Sequence, residues 1–478
     1  MMRSLFSGVA GLKTHQTKMD VIGNNIANVN TVGYKSASVT FQELMYQTTQ
    51  AASGANVATG RAGVNAKQIG LGVSTGAITN NVATAGASQS TGNPFDIQIS
   101  GDSFFIVSDG SNNYFTRAGA FYVDGAGNLA MTSNGYTVMG WQEDPTAPGT
   151  IKKDTVSKLQ IMSAANMTAE PEATKETYMS GIIDKNSTQL TSEDGLITNI
   201  TVYDNLGYSY TAKFAFKKTT IDGVYSMQLT KLLDSTGNPV DGKVTDWCTI
   251  NPSGSDDASK ETVYVKYNQS TGAFMGYWNA MPASYDATGL NEVTDNKDAK
   301  IDLTFNTAAH PNFASNVNGK PADKVGISLK ASNMYDNSGT STIAGASGDY
   351  NGNYAGRKVG AMSGVSVQTD GMIYASYDNG TTKLLGQIAV ASFANPSGLE
   401  KVGENLYSAT MNSGLFDGIG QDVTADSGSM STGVLEMSNV DLSSEFTDMI
   451  TTQRGFQANS RIITVSDSML EELTNLKR

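Results

Sequence analysis

The sequence predicts a mainly β protein with one α-helix at each terminus. Apolar residues recur at alternating spacings of three and four near both ends, and at a spacing of two in between. Glycine occurs 50 times in 478 residues, and several glycines follow Asn or Asp in pairs typical of turns. We therefore predict a nested multi-domain chain. Its parts are an inner coiled-coil domain formed by the terminal helices, a split β domain and an inserted outer β domain.

The N-terminal stripe predicts a helix within residues 1–35, the first part of the inner domain. Its apolar positions follow the a/d pattern of a coiled-coil seam, although Gln16 and Gly23 interrupt it. The positions expected to contact other helices during assembly are Leu5, Val9, Leu12, Met19 and Ile26. Asn and Gly residues after Ile26 indicate a helix stop. Residues 36–80 have no firm period and predict an extended connector.

The C-terminal stripe predicts a long helix within residues 431–478, the second part of the inner domain. Between Asp441 and Lys477 it would extend about 55 Å. Ser438 or Asn439 is expected to cap it. The positions expected to contact other helices during assembly are Leu442, Phe446, Met449, Phe456, Ile463 and Leu470. Each terminal helix alone could pack on its own domain, but pairing of the two would leave apolar surface for neighbouring copies.

Between the helices the sequence predicts two β regions. Alternation over residues 95–100 and a hairpin turn at Asn134-Gly135 indicate the first part of a middle β domain, 81–149. The same pattern of short strands separated by tight turns returns after residue 358, which predicts the second part at 359–430. Residues 150–358 would form the inserted outer domain. Its predicted strands are 197–203, 208–216, 225–232, 262–267, 273–278 and 301–305.

Charge and hydropathy exclude several classes of function. The net charge is −13, and no cluster of Lys and Arg exceeds a doublet, so binding to nucleic acid is not expected. No segment approaches the roughly 20 consecutive apolar residues of a membrane-spanning helix, so no membrane insertion is expected. The N-terminal apolar residues are spaced and not contiguous, so a cleaved signal peptide is not expected.

Catalytic and metal-binding constellations are missing from the sequence. The chain has two histidines, His15 and His310, and one cysteine, Cys248. This set cannot supply a Cys/His zinc site, and a catalytic triad would depend on one isolated histidine. We expect His15 to be solvated on the helix surface and Cys248 to be a buried apolar residue. The prediction is a protein that is not an enzyme and has no catalytic residues, metal or cofactor.

Four segments resemble the signature sequences of flagellar rod and hook proteins, a family of axial proteins. They are residues 20–35, 115–119, 393–399 and 452–461, in the order typical of that family. The resemblance covers roughly residues 1–145 and 360–478. The residues that match the family motifs are Asn24, Asn25, Asn28, Asn30, Gly33, Arg117, Gly119, Asn395, Pro396, Arg454, Gln457 and Asn459.

Within this family the insert favours a subunit of the bacterial flagellar hook. Rod proteins are expected to be much shorter, and residues 201–207 resemble the outer domain of hook proteins. The resemblance implies a subunit that polymerises into a curved flexible tube, a universal joint that links the basal-body rod to the filament for motility. The alternatives are a distal-rod-like basal-body protein or, as the weaker one, a free secreted β-rich adhesin.

The resemblance also implies partners and a location. The partners would be further copies of the chain, the hook cap, distal rod and hook–filament junction proteins, and the flagellar type III export apparatus. The chain would be extracellular, in the flagellum, and exported without cleavage. Some hook proteins are cross-linked through a cysteine after a motif like Thr177-Tyr178. This chain has Met179 there, so we expect no cross-link. We also expect hydrogen bonds from Arg117 to carbonyls or carboxylates.

Overall fold

The structure is a computed structural model that describes residues 2–54, 60, 62–252, 261–278, 280–281, 300–308, 310–313, 316–317, 320–321 and 323–476. The chain divides into two compact units. Unit 1 comprises Met1–Asn166, Gly364–Ser376 and Thr382–Arg478, and unit 2 comprises Met167–Ser363 and Tyr377–Thr381. Residues 1, 477 and 478, which belong to the predicted terminal domains, lie outside the described residues.

The elements before unit 2 are one helix and a series of short strands. They are α1 (Met2–Ala27), β1 (Ala37–Glu43), β2 (Tyr46–Gln50), β3 (Lys67–Gly70), β4 (Val73–Asn80), β5 (Ser88–Ser90), β6 (Ile97–Ser100), β7 (Phe104–Ser108), β8 (Asn113–Thr116), β9 (Phe121–Val123), β10 (Leu129–Met131), β11 (Thr137–Gln142) and β12 (Ser157–Lys158).

The elements that follow in chain order include one helix of a single turn. They are β13 (Thr168–Ala169), β14 (Glu176–Ile183), β15 (Leu196–Tyr203), β16 (Ser209–Lys218), β17 (Val224–Leu233), α2 (Val244–Trp247), β18 (Cys248–Pro252), β19 (Thr262–Tyr267), β20 (Phe274–Trp278), β21 (Ile301–Phe305), β22 (Asn316–Val317), β23 (Lys320–Pro321), β24 (Lys324–Met334), β25 (Ala344–Ser347) and β26 (Gly360–Val367).

The last elements end in a long helix. They are β27 (Met372–Tyr377), β28 (Thr382–Ile388), β29 (Val390–Ala391), β30 (Glu400–Gly403), β31 (Leu406–Ser408), β32 (Ser429–Thr432), β33 (Val434–Glu436) and α3 (Leu442–Asn475). Short 3-10 helices occupy Thr188–Thr191, Pro311–Phe313, Pro396–Gly398 and Val423–Asp426. The chain is therefore mainly β with a helix near each end, as the sequence predicts.

The long C-terminal helix begins at a different cap from the one predicted. The Asp441 carboxylate accepts a hydrogen bond from the Ser443 backbone N–H at 2.9 Å, so Asp441 is the N-cap. Asn439 is engaged elsewhere, because its amide donates to the carbonyls of Asn81 and Thr84. An N-cap needs its side-chain oxygen as an acceptor, and the Asn439 oxygen instead accepts a hydrogen bond from the Ser36 N–H at 2.8 Å.

The segment predicted to be an extended connector folds back on itself. Strand β1 pairs antiparallel with β4, and β2 pairs antiparallel with β3. Helix α1 lies against this ribbon, where the rings of His15 and Phe41 meet edge-on with centroids 5.5 Å apart. The sequence pattern does not show this pairing, because most side chains of the ribbon are exposed and no buried face imposes a period of two.

Unit 1 has a sheet to which both parts of its chain contribute. Its order is β27-β28-β11-β7-β8-β31-β30, with β28 pairing with β11 and β29 pairing with β7. Phe104, Phe115 and Trp141 from the first part share one hydrophobic core with Phe393 and Tyr407 from the second. Each large apolar side chain buried in this way contributes roughly 1.5–3 kcal/mol.

The segment with the predicted alternation forms strand β6 over Ile97–Ser100, and side chains on both of its faces are buried. Asp96 and Gln98 are buried together with Ile97 and Ile99. The Asp96 carboxylate accepts hydrogen bonds from the Thr91 hydroxyl at 2.6 Å and from the amide of Asn93 at 3.2 Å. These bonds compensate for the loss of water around the carboxylate.

Unit 2 contains two five-stranded sheets that share one hydrophobic core. Their orders are β18-β21-β24-β14-β25 and β15-β16-β17-β19-β20. Met179 and Ile327 from the first sheet join Phe214 and Met227 from the second in this core, which is the arrangement of a β-sandwich. Cys248 is also buried there, and desolvation raises the pKa of its thiol to about 12. Such a thiol is inert as a nucleophile at neutral pH.

Three tight turns share the sequence Asp-x-x-Gly-Asn. Each begins at an aspartate whose carboxylate accepts backbone N–H bonds from the residues two and four positions on: Asp124 (Ala126 and Asn128), Asp234 (Thr236 and Asn238) and Asp349 (Asn351 and Asn353). These bonds favour the ionised form and lower the pKa of all three carboxyl groups. The strongest contributions come from Asn128, Thr236 and Asn353, respectively.

We expect the turn at Asp349 to stabilise the fold only while its carboxyl group is ionised. A lowered pKa in the folded state contributes stability above the unfolded value of 3.8, and that stability is lost as the pH falls through the folded value. The difference in unfolding free energy between wild type and Asp349→Ala should therefore be larger at pH 6 than at pH 3, as measured by urea denaturation. Asn351→Ala is the control, and a difference independent of pH would contradict the prediction.

Candidate assembly site

Helices α1 and α3 pack against each other in antiparallel orientation. Gly11 of α1 lies beside Asn459 of α3, and Lys18 lies 3.5 Å from the Asp448 carboxylate, nearer the start of α3. A Cβ atom on Gly11 would come within 2.7 Å of the Asn459 amide nitrogen. The absence of a side chain at Gly11 therefore allows the close approach of the two helices.

Within one chain the helices meet through positions next to the predicted stripe. The buried residues of α1, among the side chains that the structure describes, are Gly8, Gly11, Thr14, Ile22 and Asn25. Leu5, Leu12, Met19 and Ile26 are only half-buried, and Val9 is 46% exposed. Small residues permit a closer helix contact than Leu or Val would, so the helix presents its small face to its partner.

Helix α3 likewise buries small polar residues and leaves much of its apolar surface exposed. Its buried residues are Thr452 and Ser466, while Met449, Phe456, Ile463 and Leu470 are half-buried. The exposed apolar residues form two stripes at helical spacing: Leu442, Phe446 and Ile450, then Ile462, Val465, Met469, Leu473 and Leu476. With Phe6 and Val9 of α1, they form an apolar surface typical of a protein–protein contact.

The first family motif connects the end of α1 to the start of α3. The buried Asn25 amide donates to the Ala37 carbonyl at 2.8 Å and to the Glu445 carboxylate at 2.9 Å. Its oxygen accepts from the Tyr34 hydroxyl at 3.1 Å and the Ala37 N–H at 3.0 Å. Asn25 therefore uses both donors and both acceptor positions of its side chain.

The remaining residues of this motif shape the chain after α1. The amide of Asn24 donates to the Tyr34 hydroxyl at 3.3 Å, and that of Asn28 donates to the Asn24 carbonyl at 2.9 Å. Asn30 is exposed. Gly33 has a φ of +69°, and a Cβ there would lie 2.7 Å from the Ala118 nitrogen. Glycine is required at this position both by the backbone conformation and by the close approach.

A buried cluster of three charged residues joins segments that are far apart in the sequence. The Lys35 ammonium lies 2.8 Å from the Glu436 carboxylate, and the Arg117 Nε lies 3.3 Å from the other carboxylate oxygen. The exposed fractions of the three side chains are 0%, 1% and 2% for Lys35, Glu436 and Arg117. The Arg117 contact is an ion pair without the geometry of a hydrogen bond.

Backbone groups complete the coordination of the cluster. The Arg117 guanidinium donates to the carbonyls of Ser103 and Gly101, which confirms the prediction that carbonyls or carboxylates hold Arg117. Lys35 donates to the Thr84 carbonyl at 2.7 Å. Burial lowers the pKa of Lys35, although the nearby Glu436 carboxylate opposes this shift. The Glu436 carboxylate thus lies between the two buried cations.

Sequence reasoning did not identify Glu436. No motif marks it, but it lies in the otherwise uncharged segment 427–440, and an isolated carboxylate there is the one signal the sequence offers. The Gly86 N–H donates to its carboxylate at 2.9 Å, and the Gly33 N–H donates to its carbonyl at 2.8 Å. Glu436 therefore connects the segment that follows α1 with the segment that precedes α3.

The other motif residues occupy separate places. The Asn395 amide donates to the Asn412 carbonyl at 3.2 Å, and Pro396 begins a 3-10 helix. Gly119 lies against the Ile97 carbonyl, where a Cβ would clash. Arg454 and Gln457 are exposed on α3. The structure therefore brings Asn25, Gly33 and Arg117 together around Glu436 and Glu445, and not the remaining residues.

His15 is not solvated on the helix surface, contrary to the prediction. Its ring packs on Phe41 of the ribbon and lies close to Gly455 of α3. Burial lowers the pKa of His15, and the positive charge of Lys18 adds to this shift. The ribbon and α3 cover the ring, which the pattern of α1 alone could not show.

No metal site or membrane-spanning helix is visible in the part of the chain that the structure describes. Among the described residues, no three or more His, Cys, Asp or Glu side chains are grouped so as to hold a metal ion. No helix in the described ranges is long and apolar enough to cross a membrane.

Comparison with known families defines the class of protein as a flagellar rod or hook protein. Three family models match: "Flagella basal body rod protein" over residues 5–35, "Flagellar hook protein FlgE/F/G D1 domain" over 98–175, and "Flagellar basal body rod FlgEFG protein C-terminal" over 431–476. The matched segments contain α1, the Arg117 segment and α3.

Curated relatives give the particular family. The chain is 33% identical to the flagellar hook protein FlgE of Treponema pallidum and 36% identical to that of Borreliella burgdorferi, over 100% of each chain. This chain therefore belongs to the flagellar hook protein family. It is a structural subunit of the hook.

A third relative is a rod protein. The flagellar basal-body rod protein FlgG of Bacillus subtilis is 28% identical over 100% of both chains. The preference for the hook depends on the higher identity to the two hook proteins.

We expect removal of the Glu436 carboxylate to destabilise unit 1 strongly. Glu436→Ala leaves two buried cations without a counter-ion, and breaking a buried pair in this way costs about 3–5 kcal/mol. Urea denaturation monitored by circular dichroism measures the change. The control is Glu400→Ala in the exposed β30 strand, which should change the free energy of unfolding by no more than about 0.5 kcal/mol. Similar values for the two variants would contradict the role of Glu436.

Proposed function

We propose that the chain polymerises through the apolar surfaces that α1 and α3 leave exposed, so that the two helices form the coiled-coil inner domain of the hook. The observation that carries this proposal is the pair of exposed apolar stripes on α3, which include Phe446 and Val465. Each such side chain contributes roughly 1.5–3 kcal/mol when a neighbouring copy buries it fully. The proposal keeps the assembly role of the apolar positions predicted from the sequence. They are Leu5, Val9, Leu12, Met19, Ile26, Leu442, Phe446, Met449, Phe456, Ile463 and Leu470.

The proposal extends to the division of the β regions. Residues 81–149 and 359–430 are proposed to act as one split domain, and residues 150–358 as a domain inserted within it. The pairing of β11 with β28 and of β7 with β29 supports this division, because these strands come from both sides of the insert. The pairing of Thr168 with Ala361 supports it too, because it holds the two ends of unit 2 side by side.

We further propose that the polymer is a curved, flexible tube that acts as a universal joint between rod and filament. Membership of the hook family supports self-assembly and contact with other flagellar proteins. The proposed partners are the hook cap, distal rod and hook–filament junction proteins. Only 16% of residues are charged, which suits contacts that exchange readily with water while the tube rotates.

The proposed location is extracellular, after passage through the flagellar type III export apparatus without cleavage of a signal peptide. The spaced apolar residues of α1 support this route, because α1 is an assembly helix and not a contiguous apolar signal. The chain has a single cysteine, so no internal disulfide can form before or after export.

Substitution in the second α3 stripe tests the proposed assembly surface. Val465→Asp should abolish tubes because it places a carboxylate in the apolar contact, whereas Thr464→Asp on the same helix turn should not. Val465 is 56% exposed in the single chain, so neither change should alter the thermal melting of the monomer. Tubes are scored by electron microscopy at matched concentration. Normal tubes from Val465→Asp would contradict the proposal.

We also expect α1 and α3 to be largely unformed in the free monomer and to fold on assembly. Although α1 contacts the ribbon, Ile22 is the one apolar side chain it fully buries among those described, and α3 fully buries only Thr452 and Ser466. Isolated helices are marginal in water without such packing. Circular dichroism should show little helix in the monomer and more in tubes. Two helices protected from hydrogen exchange in the monomer would contradict this expectation.

A further inference from the structure

One loop of unit 1 exposes two apolar side chains almost completely. Met411 is 97% exposed and Leu415 is 82% exposed. They lie in the segment 410–416, which follows β31 and carries no charged residue. Single exposed apolar residues are ordinary on protein surfaces, but two of them four residues apart form a concentrated apolar projection.

Hydrogen bonds hold this loop in place. The Thr410 hydroxyl donates to the Gly398 carbonyl at 2.7 Å, and the Thr410 N–H donates to the buried Ser413 hydroxyl at 2.8 Å. The ring of Phe416 packs on Phe115 with centroids 5.3 Å apart. These contacts fix the loop on both sides of Met411 and Leu415. A fixed projection also loses less conformational entropy when it docks.

A groove of complementary character lies in the same unit. It has a volume of about 400 Å³, and its lining includes Val32, Ala118, Ala120, Met131, Glu404 and Asn405. Glu404 is the charged residue of this lining. The volume falls within the range of about 300–1,000 Å³ that accommodates small organic ligands, so the groove has room for apolar side chains.

The projection and the groove lie at opposite ends of strand β31. Glu404 and Asn405 of the groove immediately precede Leu406–Ser408, and the projecting loop begins two residues after that strand. At about 3.3 Å per residue, Asn405 and Met411 are separated by up to roughly 20 Å. If a projection of one copy enters a groove elsewhere on the next, the contact is head-to-tail, and contacts of this kind generate rings or open helical filaments.

We propose that Met411 and Leu415 of one copy insert into this groove of the next copy along the tube. The occupant is a second copy of the chain, because both surfaces are nearly uncharged and the hook is built from copies of its subunit. The contact is separate from the helix stripes. It depends on the proposed function only in requiring that the chain polymerises.

An engineered cysteine pair tests the contact directly. Tubes of Met411→Cys/Ser133→Cys, confirmed by electron microscopy, should give a ladder of covalent multimers after mild copper–phenanthroline oxidation and non-reducing electrophoresis. Ser133 is an exposed residue of the groove lining, and the native Cys248 is buried. Each single variant should remain monomeric on the gel. Tubes without a ladder, or dimers from Met411→Cys alone, would overturn the proposal.

Two further variants make the result specific. Val402→Cys/Ser133→Cys carries its first cysteine at a residue that is 54% exposed on β30, and it should give no ladder. An equal ladder from this control would overturn the proposal. Met411→Ser/Leu415→Ser should raise the protein concentration required for tubes roughly tenfold or more, with unchanged melting of the monomer. An unchanged concentration would contradict it as well.

The outcome can be separated from that of the helix proposal. If Val465→Asp still forms tubes and the cysteine pair gives a ladder, the helix surface is wrong and the loop contact stands. If Val465→Asp abolishes tubes and wild-type-like tubes of the cysteine pair give no ladder, the loop contact is wrong and the helix surface stands.

Discussion

The buried Glu436 carboxylate is the constraint on which the arrangement of unit 1 depends. A carboxylate in the protein interior requires compensating charge, and here Lys35 and Arg117 supply it from two other parts of the sequence. Lys35 follows α1, Arg117 belongs to the sheet, and Glu436 precedes α3. The three segments must therefore come together if any of them is to be buried. This requirement places the inner ends of both helices on the β part of unit 1.

The helices themselves show the opposite situation, because their contact is held by small and polar groups. Gly11 beside Asn459 allows a close approach but buries little apolar area. Ile462 and Ile463 of α3 lie against Gly8, but the other large apolar side chains of α3 remain exposed or half-buried. In such a subunit the helix ends next to the β part of unit 1 are fixed. The apolar side chains along the rest of the helices remain largely uncovered. Such a subunit suits a structural polymer, in which the neighbouring copies complete the core.

The sequence predicted those elements whose burial follows a regular period. Strands β19 and β21 begin and end at the predicted residues, and β21 alternates buried and half-buried side chains along its whole length. The pairing of β1–β4 was not predicted, because this ribbon lacks a buried face. The observed contact between the helices lies beside the predicted stripe, because small residues form much of it. The resemblance identified Asn25, Gly33 and Arg117, but Glu436 became visible only when the fold brought its partners together.

The account's central claim is that the exposed α3 surface becomes buried only when copies assemble. The reaction rate of a Met469→Cys thiol with a maleimide, compared between monomer and tubes, tests this claim most directly. Met469 is 42% exposed in the single chain, and the native Cys248 is buried and gives a low background. The account predicts fast labelling of the monomer and labelling of the tubes that is slower by a factor on the order of 100, as for a group in a closed interface. Equal rates in monomer and tubes would contradict it.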